Sequence, residues 1–395
     1  MSFSHRLSWP VQHNALSRAR FERLSAGLPV LDFSESNPTR VGIQRDADPL
    51  LAALSDPRNL GYEPDPRGLG RIRERLARWY AGRGCAVASD ALFLTSSTSE
   101  AYGWLFKLLC DPGDAILVPR PGYPLFDYLA VLEGVESRPY RLEYRHPGGW
   151  SLDFDSLAAG LARGRVKAVV VINPNNPTGS YLAREERRSL LELCARAGVA
   201  LIADEVFFDY RLEAREPGSL AGESTVLCFT LDGLSKRAGL PQLKLGWILL
   251  SGPPSELAEA SSRLEIIADA YLSASAPAMN ALPFLLDEGE RFIGGLRERC
   301  AGNLVLLRTL LEGEGSPHRV LRCEGGWTAL IESPRLESEE ELGLGLLRGK
   351  GLWSQPGYFF DMEREAFFSA SLILPSAILE RCASAYREYF DELAR

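Results

Sequence analysis

Short, uniformly apolar stretches punctuate the middle of the chain, with polar or helical stretches between them. Ala91–Thr95 reads as a strand, and a helical pattern follows from about Thr98 to Cys110. Asp111-Pro-Gly-Asp114 is a turn, and Ala115–Pro119 is the next strand. Lys167–Asn173, Ala200–Val206, Thr225–Leu231 and Leu243–Leu250 repeat the pattern. Several of these are apolar throughout rather than alternating, as expected of strands covered on both faces. The pattern predicts an α/β protein with a mostly parallel central sheet and crossover helices.

The two ends differ from the middle. Residues 1–45 show little periodicity and read as an arm packed on something else. A long amphipathic helix is predicted from about Glu288 to Glu312, with strand-like pieces around Val320 and Thr328 and a helix from about Glu337. A last helix after Pro375 carries Leu379, Cys382, Tyr386 and Phe390 at helical spacing. The expected division is an arm over 1–45 that forms part of the small domain, a large domain over 46–285 and a small α+β domain over 286–395.

Composition narrows the class. The chain has 395 residues, 46% of them hydrophobic, enough for a substantial core. The formal net charge of −8 argues against wholesale binding to nucleic acid or anionic membranes. No long apolar run follows the first basic residues, so no leader peptide is expected, and the apolar stretches are too short to span a bilayer. Seven cysteines without a CxxC pair read as free thiols in a reducing, cytoplasmic setting. His5, His13, His146 and His318 lack ligand spacing, so no metal site is expected.

Candidate chemistry clusters just after the apolar strands, where open α/β sheets bind ligands. Thr95-Ser-Ser-Thr-Ser-Glu100 runs into a helix. Its hydroxyls and helix-start N–H groups suit a phosphate, or equally a plain N-cap. In Pro121-Gly-Tyr-Pro124 the tyrosine can stack on a flat ring or simply pack in a turn. Asn173-Pro-Asn-Asn-Pro-Thr-Gly179 is less common than a generic turn; its Asn-Pro steps suit cis bonds, and Asn176 can donate to a ligand oxygen. Asp204 ends an apolar strand and needs a partner, either a protonated ring nitrogen or a structural cation. Lys236 lies among small and apolar residues with Arg237 and Lys244 nearby. A desolvated lysine beside another cation acts as an imine-forming nucleophile, whereas an exposed one does nothing of the kind. Together these groups describe one ligand with a phosphate, a basic flat ring, a phenolic oxygen and an aldehyde. Pyridoxal 5'-phosphate has all four.

The order of these segments resembles fold type I pyridoxal-phosphate enzymes, specifically the class I/II aminotransferases, over nearly the whole chain. Asn-Asn-Pro-Thr-Gly at 175–179, Asp204-Glu-Val and Ser235-Lys236 carry the resemblance most specifically, and Tyr62-Glu-Pro-Asp-Pro-Arg-Gly68 with Arg71-Ile-Arg73 and Trp79-Tyr80 adds to it. The resemblance implies a large domain with a mostly parallel sheet and a smaller α+β domain. It implies that Lys236 forms the Schiff base and moves the substrate proton, and that Asp204 keeps the pyridine nitrogen protonated. It implies that Asn176 donates to the phenolic oxygen, that Tyr123 stacks on the ring, and that Ser97, Thr98, Ser99 and Ser235 bind the phosphate. Tyr62 would reach the phosphate of a neighbouring subunit in a homodimer, and Asn37 in the arm would border the substrate.

Three positions depart from the family. Phe207 stands where a tyrosine often donates to the phenolic oxygen, and losing that donor should raise the imine's pKa. Lys244 stands where an arginine usually meets the phosphate, keeping charge but losing the bidentate fork. Ser369 stands where an arginine grips the substrate carboxylate, and no basic residue occurs between Glu365 and Arg381. The carboxylate is then expected on another cation such as Arg40, or the substrate is not a free α-amino acid. The expected activity is amino transfer from an amino acid to a 2-oxo acid in amino acid metabolism. The alternatives are a lyase of the cysteine-conjugate β-elimination type or another biosynthetic enzyme on the same scaffold, and a non-enzymatic binding or regulatory protein. Trp327, Tyr358 and Phe359 suggest an aromatic or aliphatic substrate, or ordinary core.

Overall fold

A computed structural model describes residues 3–7, 14–43, 46–214, 217–272 and 274–395. His13, considered above, lies outside the described residues, as do the last two residues of the arm. The arm contains helix α1 (Ala15–Ser25) and a short strand β1 (Leu31–Asp32), followed by α2 (Ala47–Leu54) and α3 (Gly70–Ala81). Next come β2 (Leu92–Thr95), α4 (Thr98–Leu109), β3 (Ala115–Arg120), α5 (Leu125–Leu132), β4 (Glu136–Arg145), β5 (Gly149–Leu152) and α6 (Phe154–Ala162). The alternation continues with β6 (Val166–Ile172), α7 (Arg184–Ala197), β7 (Ala200–Asp204), β8 (Cys228–Gly233), the one-turn helix α8 (Leu234–Arg237) and β9 (Gly246–Ser251). Helices α9 (Pro254–Tyr271) and α10 (Ala276–Leu311) lead to β10 (Arg319–Val320), β11 (Thr328–Glu332), α11 (Glu339–Gly345), β12 (Leu352–Trp353), β13 (Phe367–Ser371) and α12 (Ser376–Leu393).

The central sheet has the order β2-β9-β8-β7-β6-β3-β4-β5. Pairs among β4, β3, β6, β7 and β8 are parallel, and β9 is antiparallel to both β8 and β2. The apolar run of β6 from Ala168 to Ile172 follows from this. Ala168, Val170 and Ile172 pack with α4 residues on one face, while Val169 and Val171 pack with α7 residues on the other. Each of these valines and Ile172 contributes about 1.5–3 kcal/mol by leaving water. A second, antiparallel sheet has the order β10-β11-β13 and shares a core with α10 and α12, including Leu379, Cys382, Tyr386 and Phe390. Strand β1 pairs in parallel with β12, which ties the arm to this smaller unit.

The structure departs from the expected elements in three places. The long helix begins at Ala276, about twelve residues early, and carries Pro283 inside it. Its first turns are buried almost all round, from Ala278 to Leu282 and at Leu285 and Leu286, so they lack the one-sided stripe that marks an amphipathic helix. The strand expected from Leu243 starts only at Gly246, because Pro241–Leu243 forms a 3-10 turn and Lys244 is left-handed at φ 52°. The arm holds a helix that exposes most of its surface, with only Leu16 and Ala19 buried, and is capped by Asn14. Among the described residues no helix is long and apolar enough to cross a membrane.

Candidate active site

Strands β2, β3, β6, β7 and β8 all run the same way, so the loops that follow them open on one edge of the sheet. Those loops are the Ser96–Ser99 turn, Pro121–Tyr123, Asn173–Gly179, Glu205–Phe207 and Leu234–Arg237. The five segments singled out from sequence therefore share one site.

Glycines allow the close approach. Gly233 lies opposite Gly246, and Gly246 lies opposite Thr95. A Cβ on Gly246 would sit 3.3 Å from the Ser97 carbonyl carbon and 3.3 Å from Thr95 Oγ1. Lys236 follows directly in α8, held by a 2.6 Å hydrogen bond from the Tyr210 hydroxyl to its carbonyl. Its Nζ lies 4.8 Å from the Trp327 ring centroid and 5.1 Å from that of Phe207. Desolvation by this packing pulls the Lys236 pKa down to about 8, against the opposing charge of Asp204. Arg237 has no part in this shift. It is buried against Asp232 at 2.6 Å and Asp209 at 2.7 Å and stacks on Trp79, so its charge is neutralised away from Lys236. Lys244 is exposed, and the neighbouring-cation argument fails for it too.

Asp204 ends β7 and is buried. Its Oδ1 accepts the Val206 N–H at 3.2 Å and its Oδ2 accepts the Tyr102 hydroxyl at 3.0 Å. Burial pushes its pKa up to about 6, opposed by these two hydrogen bonds and by Lys236. Among the described residues it makes no ion pair within 4.0 Å. A buried carboxylate without a cation is the environment that a protonated ring nitrogen would satisfy.

The remaining candidates lie on the loops and helix starts around this edge. Ser97 caps α4, its hydroxyl accepting the Glu100 N–H at 3.1 Å, while the Ser96 N–H donates to the Glu100 carboxylate at 2.6 Å. The cap uses a lone pair of the Ser97 hydroxyl and leaves its proton available, so the capping and ligand readings coexist. Thr98, Ser99 and Ser235 are half-buried at the starts of α4 and α8. Lys244 precedes by two residues the glycine opposite Thr95, at the same end of the sheet as the Ser97 turn. Both Asn-Pro bonds of the 173–179 loop are cis. Asn173 donates to Glu205 at 3.2 Å, and Thr178 donates to Asn175 at 3.0 Å. Asn176 is half-buried, and its side chain has no hydrogen-bond partner among the described residues. Tyr123 is partly exposed, its ring edge-on to Phe126 at 6.4 Å.

The residues expected to border the substrate differ in enclosure. Ser369 is buried in β13, its N–H donating to Gln355 and its carbonyl accepting from Ser354, while its hydroxyl has no partner. Two residues on, Ser371 donates its N–H to the Phe33 carbonyl and its hydroxyl to the Glu35 carbonyl, which lays the arm beside β13. Asn37 Oδ1 is occupied by the Thr39 hydroxyl and N–H. Arg40 is 73% exposed and only 3.9 Å from the Glu35 carboxylate, and Tyr62 is 76% exposed. Thus Lys236, Asp204 and Phe207 meet, whereas Arg40 and Tyr62 face outward. Two contacts escaped the sequence reading. Tyr102 lies one turn after Thr98 on the same face of α4, a spacing that could have flagged it. Trp327 was noted only as lining or core.

These residues fit pyridoxal 5'-phosphate: a desolvated amine, a buried unpaired carboxylate, and hydroxyl and N–H donors at a helix start. Comparison with known proteins agrees. The family described as aminotransferase class I and II matches residues 24–369. The alanine aminotransferase of Mycobacterium tuberculosis is 30% identical over 367 residues, covering 89% of this chain and 82% of that protein. The glutamate-pyruvate aminotransferase AlaA of Haemophilus influenzae is 26% identical, covering 84% and 86%. The solved alanine aminotransferase from Pyrococcus furiosus superposes with a TM-score of 0.87 at 24% identity, covering 99% of this chain and all of that one. The chain belongs to the class I and II aminotransferase family, with its fold type I architecture and pyridoxal 5'-phosphate as cofactor.

Proposed function

We propose that this aminotransferase moves an amino group between an amino acid and a 2-oxo acid at the sheet edge, with Lys236 as its covalent and proton-transferring residue. The observation that carries this reading is the desolvated Lys236 amine close to a buried Asp204 that has no other cation. When bound, pyridoxal phosphate supplies the electron sink that makes the substrate α-proton removable. Lys236 takes that proton and returns it on the cofactor side. Asp204 holds the ring nitrogen, Asn176 donates to the phenolic oxygen, and Tyr123 covers a ring face. Ser97, Thr98, Ser99, Ser235 and Lys244 hold the phosphate, and Phe207 fills the space beside Lys236 without donating.

Asn37 and Arg40 border the substrate in this reading. The arm's contact with Ser371 brings Glu35, and with it Arg40, to the strand that carries Ser369. The exposed Arg40 side chain is free to leave its long contact with Glu35 for a substrate carboxylate. The work divides between a large unit over 46–285 and a small one over 286–395 with the 1–45 arm, the boundary falling inside α10. Exposed Tyr62 and Leu272 flank one cleft, which suits a homodimer in which Tyr62 reaches the neighbouring phosphate. The setting is cytoplasmic amino acid biosynthesis, supported by seven unpaired cysteines. The named relatives make alanine and glutamate the first donors to try.

The test is a half-reaction with one amino acid at a time and no acceptor. The expected result is one 2-oxo acid released per chain, a stalled enzyme, and recovery on adding a 2-oxo acid. Continued turnover with ammonia release would mean a lyase. In Arg40→Ala the KM for active amino acids should rise about tenfold, as for a lost charge-assisted contact. An unchanged KM for all of them removes Arg40 from the site.

A further inference from the structure

The buried carboxylate at the end of β7 is held by two donors from different elements. One is the Val206 N–H, local to the strand end. The other is Tyr102, a hundred residues earlier, whose hydroxyl donates to Oδ2 at 3.0 Å. Tyr102 is itself buried and fixed, edge-on to Phe126 at 4.9 Å and tilted against Phe106 at 5.9 Å. It lies on α4, the helix whose first turn carries Thr98 and Ser99, and the step from Thr98 to Tyr102 keeps one face. One rigid helix therefore meets the proposed phosphate end of the site and also grips the carboxylate at the other end.

We propose that Tyr102 is a positioning residue for the cofactor. By tethering Asp204 Oδ2 it sets the rotation of that carboxylate and fixes where the remaining lone pairs point. The inference rests on the reading of Asp204 as partner of the ring nitrogen. Held by the Val206 N–H alone, the carboxylate could rotate further about its Cβ–Cγ bond, and the charge-assisted contact to the ring would lose alignment. The charged form is also at stake. Asp204 faces Tyr102 from α4, Lys236 from α8 and Asp232 from β8, and the pKa of Tyr123 after β3 is raised by burial and, secondarily, by the Asp204 charge. Asp232 disfavours the carboxylate, while Lys236 and Tyr102 favour it. The Tyr102 hydroxyl, raised well above its ordinary value by burial and by Asp204, with a further push from Tyr140, stays a donor throughout the working range.

Tyr102→Phe keeps the ring and its packing and removes the tether alone. In the full-length chain freed of cofactor, the protonated Asp204 carboxyl is followed by infrared difference titration and assigned by its loss in Asp204→Ala. The expected shift in Tyr102→Phe is upward by about one pH unit, the size of one lost hydrogen bond to a charged group. Pyridoxal phosphate should bind about tenfold more weakly. In the Asp204→Ala background the same change should alter affinity less than twofold, because the tether then has nothing to hold. An unchanged carboxyl midpoint overturns the proposal. So does an equal loss of affinity in both backgrounds, which would make Tyr102 a packing residue only. If the unaltered chain failed to bind pyridoxal phosphate, the reading of the site would fall, and the infrared titration would still decide whether Tyr102 holds Asp204.

Discussion

Lys236 and Asp204 are drawn toward each other's range by the same cause. Burial lowers the amine to about 8 and raises the carboxyl to about 6. At pH 7 about a tenth of such a lysine is the free base, against a few parts in ten thousand for an ordinary one. Phe207 and Trp327 exclude water from the ammonium, and their ring faces offset only part of its lost hydration. The shifts have opposite signs for stability. The cost of burying charged Lys236 is full below about pH 8 and fades toward the ordinary 10.5, so stability gained there rises with pH. The contribution of Asp204 is greatest below 3.8 and is lost as pH rises through about 6. In the proposed reading the neutral amine of Lys236 is the nucleophile, so the rate of loading pyridoxal phosphate onto the cofactor-free chain should rise with pH around a midpoint of about 8. A midpoint near 10.5 would show that the lysine is not desolvated in solution.

Among the elements, close backbone contact assembles the site. The Gly233–Gly246–Thr95 row puts Lys236 beside the Ser97 turn. Gly179, left-handed at φ 69°, closes the Asn-Pro loop onto the smaller unit, its carbonyl accepting the Glu324 and Gly325 N–H groups. A Cβ there would lie 2.7 Å from the Gly325 carbonyl oxygen, so only glycine fits. These elements explain what could be read from the sequence. β6 and β7 were legible because helices cover both their faces, which leaves Ala168–Ile172 and Ala200–Ala203 apolar without a break. The loops after them were legible because Pro, Gly and Asn are demanded by the backbone. The start of α10 was not, because burial on all sides erases helical periodicity. Arg237 was misread as a neighbour that tunes Lys236, because sequence adjacency does not show that a one-turn helix sends successive side chains in different directions. Tyr102 was missed because its partner lies a hundred residues away.

For the whole molecule, the arm, the smaller sheet and the central sheet meet around one edge, with Ser371 joining the arm to β13 and Trp327 reaching Lys236. Leu60, Tyr62 and Ile266 are exposed, and the homodimer proposed above is expected to cover apolar surface of this kind. Sedimentation should give twice the 43.5 kDa chain mass, and a monomer at working concentration would contradict the shared-site arrangement. Whether Lys236 carries the cofactor is decided by the visible spectrum of the purified chain with pyridoxal phosphate, before and after borohydride, beside Lys236→Ala. The unaltered chain should show an absorption band that reduction fixes covalently to the peptide containing Lys236, and the variant should show no such adduct. Cofactor fixed at another lysine, or none fixed at all, would contradict Lys236 as its carrier.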